Sequence, residues 1–243
     1  MTTDATNEKT LSLKWIYLAW VGIIFSSLVI GTVSAVLQGP PEPISAKVGL
    51  SNFTFFAITL YSLGTVVSVV ILYFLLRSRG MSLRSVGLTG GISKKGVLYA
   101  LLGLAVGILL YGGIEVIVES LGIHMFWRGA GSSTPKWITA FDLTLVVSFA
   151  VIIGPIVEEM IFRGYVVSAL RQTKLTILAV YVLSAVIFAS VHIFIGLGAM
   201  IFIFFWSFIP TFLFLKFNSL YPGILFHVLN NVFAYVAAPM WLS

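Results

Sequence analysis

The stretch LTLVVSFAVIIGPIVEEMIFRGYVVSAL, residues 143–170, decides the fold. It is apolar throughout except for a few hydroxyl groups and three charges, Glu158, Glu159 and Arg163. About 20 apolar residues cross roughly 30 Å of hydrocarbon at 1.5 Å per residue, so this run is long enough to span a bilayer. Working outward, comparable runs precede it at Trp15–Leu37, Phe53–Leu76 and Gly96–Val118, and follow it at Leu175–Ile195, Met200–Leu215 and Ile224–Leu242. All are continuously apolar and lack the alternation of membrane strands, so helices are the spanning form. The expectation is an all-α polytopic membrane bundle of about seven helices, within a range of six to eight. It forms a single domain over 1–243, with a polar tail at 1–14 that is expected to be disordered and a core motif region at about 143–242.

Composition agrees. Hydrophobic residues make up 59% of the chain, charged residues 9%, and the mean hydropathy is +1.09. Soluble domains carry about a quarter of their residues as charges, so a solvated globule is excluded. The net charge of +6 comes from basic residues in short loops between apolar runs, which form no basic face for nucleic acid. Those loops set orientation instead. Ten Lys and Arg fall on the N-terminal side, five of them (Arg77, Arg79, Arg84, Lys94 and Lys95) in one loop, against Lys47, Arg128 and Lys136 opposite. The positive-inside rule then places the N-terminus in the cytoplasm and, with seven spans, the C-terminus on the far side. The first span is too long for a signal-peptide core and is expected to stay uncleaved. With no cysteine, disulfides, a thiol nucleophile and thiolate metal ligation are excluded.

Charged side chains inside a bilayer cost at least about 2.5–3.5 kcal/mol each on insertion scales, which makes them functional candidates. Glu159 and Arg163 stand i, i+4 in the order that pairs well, whereas Glu158 is turned by about 100° and is left for proton chemistry. Two other spans each carry a histidine with an i, i+4 companion: Phe188 with His192, and His227 with Asn231. Phe188 can support the His192 ring, and His227 and Asn231 share a face from which both can donate. Read singly, each feature has a plainer explanation: an interfacial charge cluster for the glutamates, a satisfied core residue for a lone histidine. Read together, a base, two imidazoles and an amide on three apolar helices are costly to keep for packing. Glu115 and Glu119, at the end of the third span, read as an interfacial face.

Glu158-Glu159-x-x-x-Arg163, Phe188-x-x-x-His192 and His227-x-x-x-Asn231, in this order on separate apolar helices, resemble the three motifs of the CPBP family. This family is also called the Abi or type II CAAX prenyl endopeptidase family of intramembrane proteases. The resemblance extends to Pro222–Asn231 and covers roughly Gly154–Asn231. It implies an endopeptidase acting on a membrane-associated peptide or protein in the bilayer, with CAAX processing as the family reaction. In that reading Glu158 and His192 activate water, His227 and Asn231 stabilise the oxyanion, and the Glu159–Arg163 pair holds the helix face. The family has also been called a metalloprotease family, and Glu158, His192 and His227 have the composition of a catalytic zinc site. An amide is a poor zinc ligand and a good oxyanion donor, so the expectation is direct water activation with no cofactor, and zinc is the alternative. HExxH, a transmembrane aspartate pair and Gly-x-Ser-x-Gly are all absent. The rival function is a non-proteolytic membrane partner or bacteriocin-immunity protein that binds another membrane protein.

Depth poses a problem for this reading. A fourth span ending near Arg163 would leave Glu158 and His192 at opposite faces. Continuing that helix to about Arg171 sinks Glu158 about 20 Å from the Arg171–Lys174 turn. His227 lies close to the start of its span, which calls for a bent fifth or sixth helix, with Pro210 and the glycines at 196 and 198 as places for bends.

Overall fold

The computed structural model of the chain describes residue 11 and residues 66–122, 139–192 and 197–237, and every regular element among them is helical. The expected span Trp15–Leu37, most of Phe53–Leu76, the loop holding Arg128 and Lys136, and the end of the last span lie outside the described residues. Three described helices are long and apolar enough to cross a membrane: Lys94–Leu121, Ala140–Arg171 and Leu197–Phe217. With the composition above, they make this a membrane protein.

In chain order, α1 is Val66–Arg77. A short 3-10 turn, Leu83–Val86, then leads to α2, Lys94–Leu121. Ser93 caps α2 by accepting from the Gly96 N–H, and Gly122 ends it in the left-handed region at φ 64. α3 runs from Ala140 to Arg171, capped by Thr139, so the fourth span does continue to Arg171. It is not uniformly wound: Val147–Ile153 and Glu159–Val167 are π-helical, separated by the α-helical Gly154–Glu158.

The next expected span, Leu175–Ile195, is observed as the 14-residue α4, Ile177–Ser190. At about 21 Å it is shorter than the hydrocarbon layer. Thr176 fixes its start by accepting from the Ala179 N–H. At the other end the His192 N–H falls back to the Ala189 carbonyl at 3.0 Å, while His192 Nδ1 takes the Phe188 carbonyl at 2.9 Å. A carbonyl only accepts, so the imidazole is the donor and caps the helix.

The sixth span is split into α5, Leu197–Trp206, and α6, Phe208–Phe217. Pro210 is the cause. It has no N–H for the Trp206 carbonyl four residues earlier, and its ring crowds that position. The interruption at Ser207 falls three residues before Pro210, one of the places expected to allow a bend.

α7, Tyr221–Val232, continues as a π-helical turn over Phe233–Ala237. It starts inside the protein, because the turn before it is buried, with Leu220 0% exposed. The Leu220 N–H donates to the Gly87 carbonyl at 2.9 Å, and Ser219 Oγ reaches the Thr89 carbonyl at 3.4 Å. The loop after the 3-10 turn thus covers the α6–α7 connection and lets α7 begin at depth.

α3 and α7 run antiparallel. A Cβ on Gly164 would lie 2.7 Å from the Val86 carbonyl and 3.4 Å from Leu220, so only glycine lets these segments close. Further along, Glu159 faces Gly223 and Ala150 faces Asn231. Leu11 is buried in the same core, and its N–H donates to Gln172 Oε1 at 2.6 Å, which sets that part of the expected polar tail against the Arg171–Lys174 turn.

Candidate active site

The α3–α4 hairpin brings two of the motifs to one level. Glu158 lies 13 residues before Arg171, about 20 Å of helix, and His192 lies 15 residues beyond Ile177, about 22 Å. A long helix followed by a short one therefore brings these motifs together, with Phe188 packed against both His192 and His227. α7 supplies the third motif by entering from its buried turn.

Glu159 and Arg163 pair as their spacing predicts. Arg163 Nη1 lies 3.0 Å from Glu159 Oε1, and the two side chains are 1% and 0% exposed. Two further groups enter the pair. His227 Nδ1 donates to the same Glu159 oxygen at 2.9 Å, and Arg163 Nη2 donates to Ser207 Oγ at 2.8 Å. Ser207 is the residue at the Pro210 break, so the interrupted helix provides an acceptor for a buried guanidinium. Phe188 lies beneath, with the guanidinium carbon 4.3 Å from its ring centre. The charge-assisted hydrogen bonds and the aromatic face together offset the cost of burying a cation.

Glu158 differs. Its side chain is 19% exposed, and no hydrogen bond ties it among the described residues. The nearest cation-capable group is His227 Nε2, 3.7 Å from Glu158 Oε2, a contact longer than a hydrogen bond. One imidazole therefore stands between the two glutamates: its Nδ1 is committed to Glu159 and its Nε2 faces Glu158.

His192 packs edge-on to Phe188, with ring centres 4.9 Å apart, as the i, i+4 spacing suggests. Because Nδ1 donates to the Phe188 carbonyl, the neutral ring leaves Nε2 as an acceptor. Asn231 donates from Nδ2 to the Ala150 carbonyl at 3.0 Å. That carbonyl is available for a local reason. The Gly154 N–H goes to Phe149 in the π register, and the next residue, Pro155, has no N–H to give. The Gly154-Pro155 pair thus creates an acceptor on α3 that α7 fills.

All six residues singled out in the sequence lie on these packed elements. His227 and Asn231 share one face of α7, but in this arrangement they hold different partners on α3, the glutamates and the Ala150 carbonyl. Sequence reasoning did not find Ser207, Trp206 or Asn230. Trp206 is buried, with its ring 4.7 Å from that of His227, and its Nε1–H donates to Asn230 Oδ1 at 3.1 Å. A serine three residues before a proline in an apolar span was the available signal for Ser207.

Among the described residues no three of His, Asp and Glu gather closely enough to hold one metal ion. His227 holds Glu159 through Nδ1 and keeps Nε2, which faces Glu158.

No curated protein and no solved structure matches the chain. A family model does: residues 140–233 match the one described as type II CAAX prenyl endopeptidase Rce1-like. The matched segment runs from the start of α3 into the π-helical turn after α7 and takes in all three motifs. The likeness first carried by three short strings thus extends over the whole segment from α3 to α7, and residues 140–233 are similar to the Rce1-like group of type II CAAX prenyl endopeptidases.

Proposed function

We propose that the chain is a glutamate-dependent intramembrane endopeptidase that cleaves a membrane-associated peptide or protein of CAAX type, using activated water and no bound metal. The observation that carries this reading is the division of labour between adjacent carboxylates. Glu159 is locked to Arg163 and His227, while Glu158 is partly exposed, free of hydrogen bonds among the described residues, and level with His192.

Water placed between Glu158 and His192 Nε2 gives its proton to Glu158 as its oxygen attacks the carbonyl carbon. The carbonyl electron pair moves onto oxygen, where the second Nδ2–H of Asn231 and, with the ring doubly protonated, the Nε2–H of His227 receive it. Glu159 orients that ring through Nδ1 and offsets its charge, the part a buried carboxylate plays towards an imidazole in hydrolytic triads. Collapse breaks the C–N bond, and Glu158 returns its proton to the leaving amine. The Rce1-like likeness supports protease chemistry in general.

The test is purified protein in lipid with a membrane-peptide library, read by mass spectrometry, comparing wild type with Glu158→Ala. New termini that depend on Glu158 are expected. A product profile identical in the two proteins would overturn the reading in favour of a non-proteolytic membrane partner.

A further inference from the structure

Four groups form a hydrogen-bond chain across the bundle behind the site. Trp206 Nε1–H donates to Asn230 Oδ1 at 3.1 Å, Asn230 Nδ2 donates to Asn231 Oδ1 at 3.3 Å, and Asn231 Nδ2 donates to the Ala150 carbonyl at 3.0 Å. The ends of this chain fix its direction. An indole N–H can only donate and a main-chain carbonyl can only accept, so each carboxamide between them has one permitted orientation. If Asn231 flipped, its oxygen would face the Ala150 oxygen and its NH2 would face that of Asn230.

We propose that Trp206 and Asn230 are positioning residues that set the polarity of the Asn231 amide and so hold its remaining N–H for the substrate oxygen. This rests on the reading of Asn231 as an oxyanion donor. The Ala150 carbonyl favours one orientation of Asn231, and the Asn230 NH2, itself directed by the indole N–H, adds a second constraint by donating to the Asn231 oxygen. An oxygen in place of the remaining N–H would repel the developing oxyanion instead of stabilising it. Trp206 suits the role because its ring is clamped, 4.9 Å from Phe226 and 4.7 Å from His227, so its N–H has little freedom. The Asn230-Asn231 pair is then read as two functions: Asn231 faces the reaction, and Asn230 transmits the direction of the indole N–H.

Trp206→Phe keeps an aromatic ring in the clamp and removes the donor. With an internally quenched farnesylated CAAX peptide as probe and the full chain in lipid, Trp206→Phe is expected to lower kcat about tenfold, the worth of one buried hydrogen bond, with KM changed less than twofold. In an Asn231→Ala background the same substitution should change kcat less than twofold, because there is no amide left to position. Wild-type kcat in Trp206→Phe, or a full multiplicative loss in the double variant, overturns the proposal. Wild-type kcat in Asn231→Ala instead sinks the oxyanion reading beneath it, so the two failures are distinct. A readout that needs no cleavage accompanies these: side-chain amide NMR of the 15N-labelled protein. The Asn231 NH2 protons should be inequivalent and exchange-protected in wild type and lose that protection in Trp206→Phe; unchanged signals overturn the proposal whatever the peptide does.

Discussion

The two adjacent glutamates should separate stability from catalysis when each is made an amide. Glu159 is fully buried and its Oε1 holds both Arg163 and His227, while its Oε2 has no hydrogen-bond partner among the described residues. In Glu159→Gln the amide oxygen can still accept, but the buried guanidinium loses its counter-charge. The new NH2 would replace an oxygen that already lacks a partner. Removing one member of a buried ion pair costs about 3–5 kcal/mol. Arg163 keeps Ser207 and the Phe188 face, so the low end, about 3 kcal/mol, is expected, a shift of roughly two powers of ten in the folding equilibrium. Among the described residues Glu158 has only the 3.7 Å polar contact with His227, and Glu158→Gln should stay within about 1 kcal/mol of wild type. Reversible unfolding in bicelles measures both, and the peptide assay gives activity alongside. Glu158→Gln should be folded and inactive, Glu159→Gln destabilised as well as impaired. Equal stability of the two variants would refute the division of labour argued from burial.

Other expectations follow from packing, topology and ligand geometry. Gly164→Ala should destabilise by about 1–3 kcal/mol, since its Cβ would lie 2.7 Å from the Val86 main-chain oxygen, whereas Gly112→Ala and Gly113→Ala meet nothing among the described residues and should stabilise α2 by about 0.5–1 kcal/mol. The same unfolding assay ranks them, and a neutral Gly164→Ala would contradict the close α3 contact. A reporter fused after Gly90 should read as cytoplasmic, with the N-terminus on the same side; an extracytoplasmic signal reverses the orientation drawn from the basic loops. Elemental analysis should find well under one zinc per active chain, with activity surviving chelators. One tightly held zinc, with activity restored on re-addition, would replace direct water activation by a metal-hydroxide scheme using the same residues.

The chemistry of the site was legible where it is local. Glu159 and Arg163 pair, and Phe188 supports His192, because i, i+4 neighbours on one helix meet whatever surrounds them. The long α3 was legible too, since the site could not close without it. What escaped were contacts made by departures from regular winding. The Ser207 acceptor exists because Pro210 interrupts a span, and the Ala150 carbonyl is open because Pro155 follows a π segment. The depth of His227 depends on a buried turn covered by residues some 130 positions earlier, Thr89 against Ser219. No window of sequence contains both. Asn230 was overlooked because its neighbour, Asn231, completes the motif, and a hydrogen-bond partner on another helix leaves no periodic trace.

The wide winding of Val147–Ile153 has a consequence for how such a site is inherited. An α-helix turns about 100° per residue, and a stretch bonded i to i+5 holds one residue more per bond than one bonded i to i+4. Removing a single residue from this stretch lets the ladder tighten, and the larger twist of each remaining residue makes up most of the missing turn, so the flanking segments keep nearly the same facing towards Glu158. What changes is the ladder itself, which sets the main-chain carbonyls left without a helical donor, the one that Asn231 holds among them, though no side chain of the site had changed. Part of the arrangement is therefore written as a number of residues rather than as their identities, and a one-residue deletion in an apolar run, invisible to any motif, changes which carbonyl is open to α7.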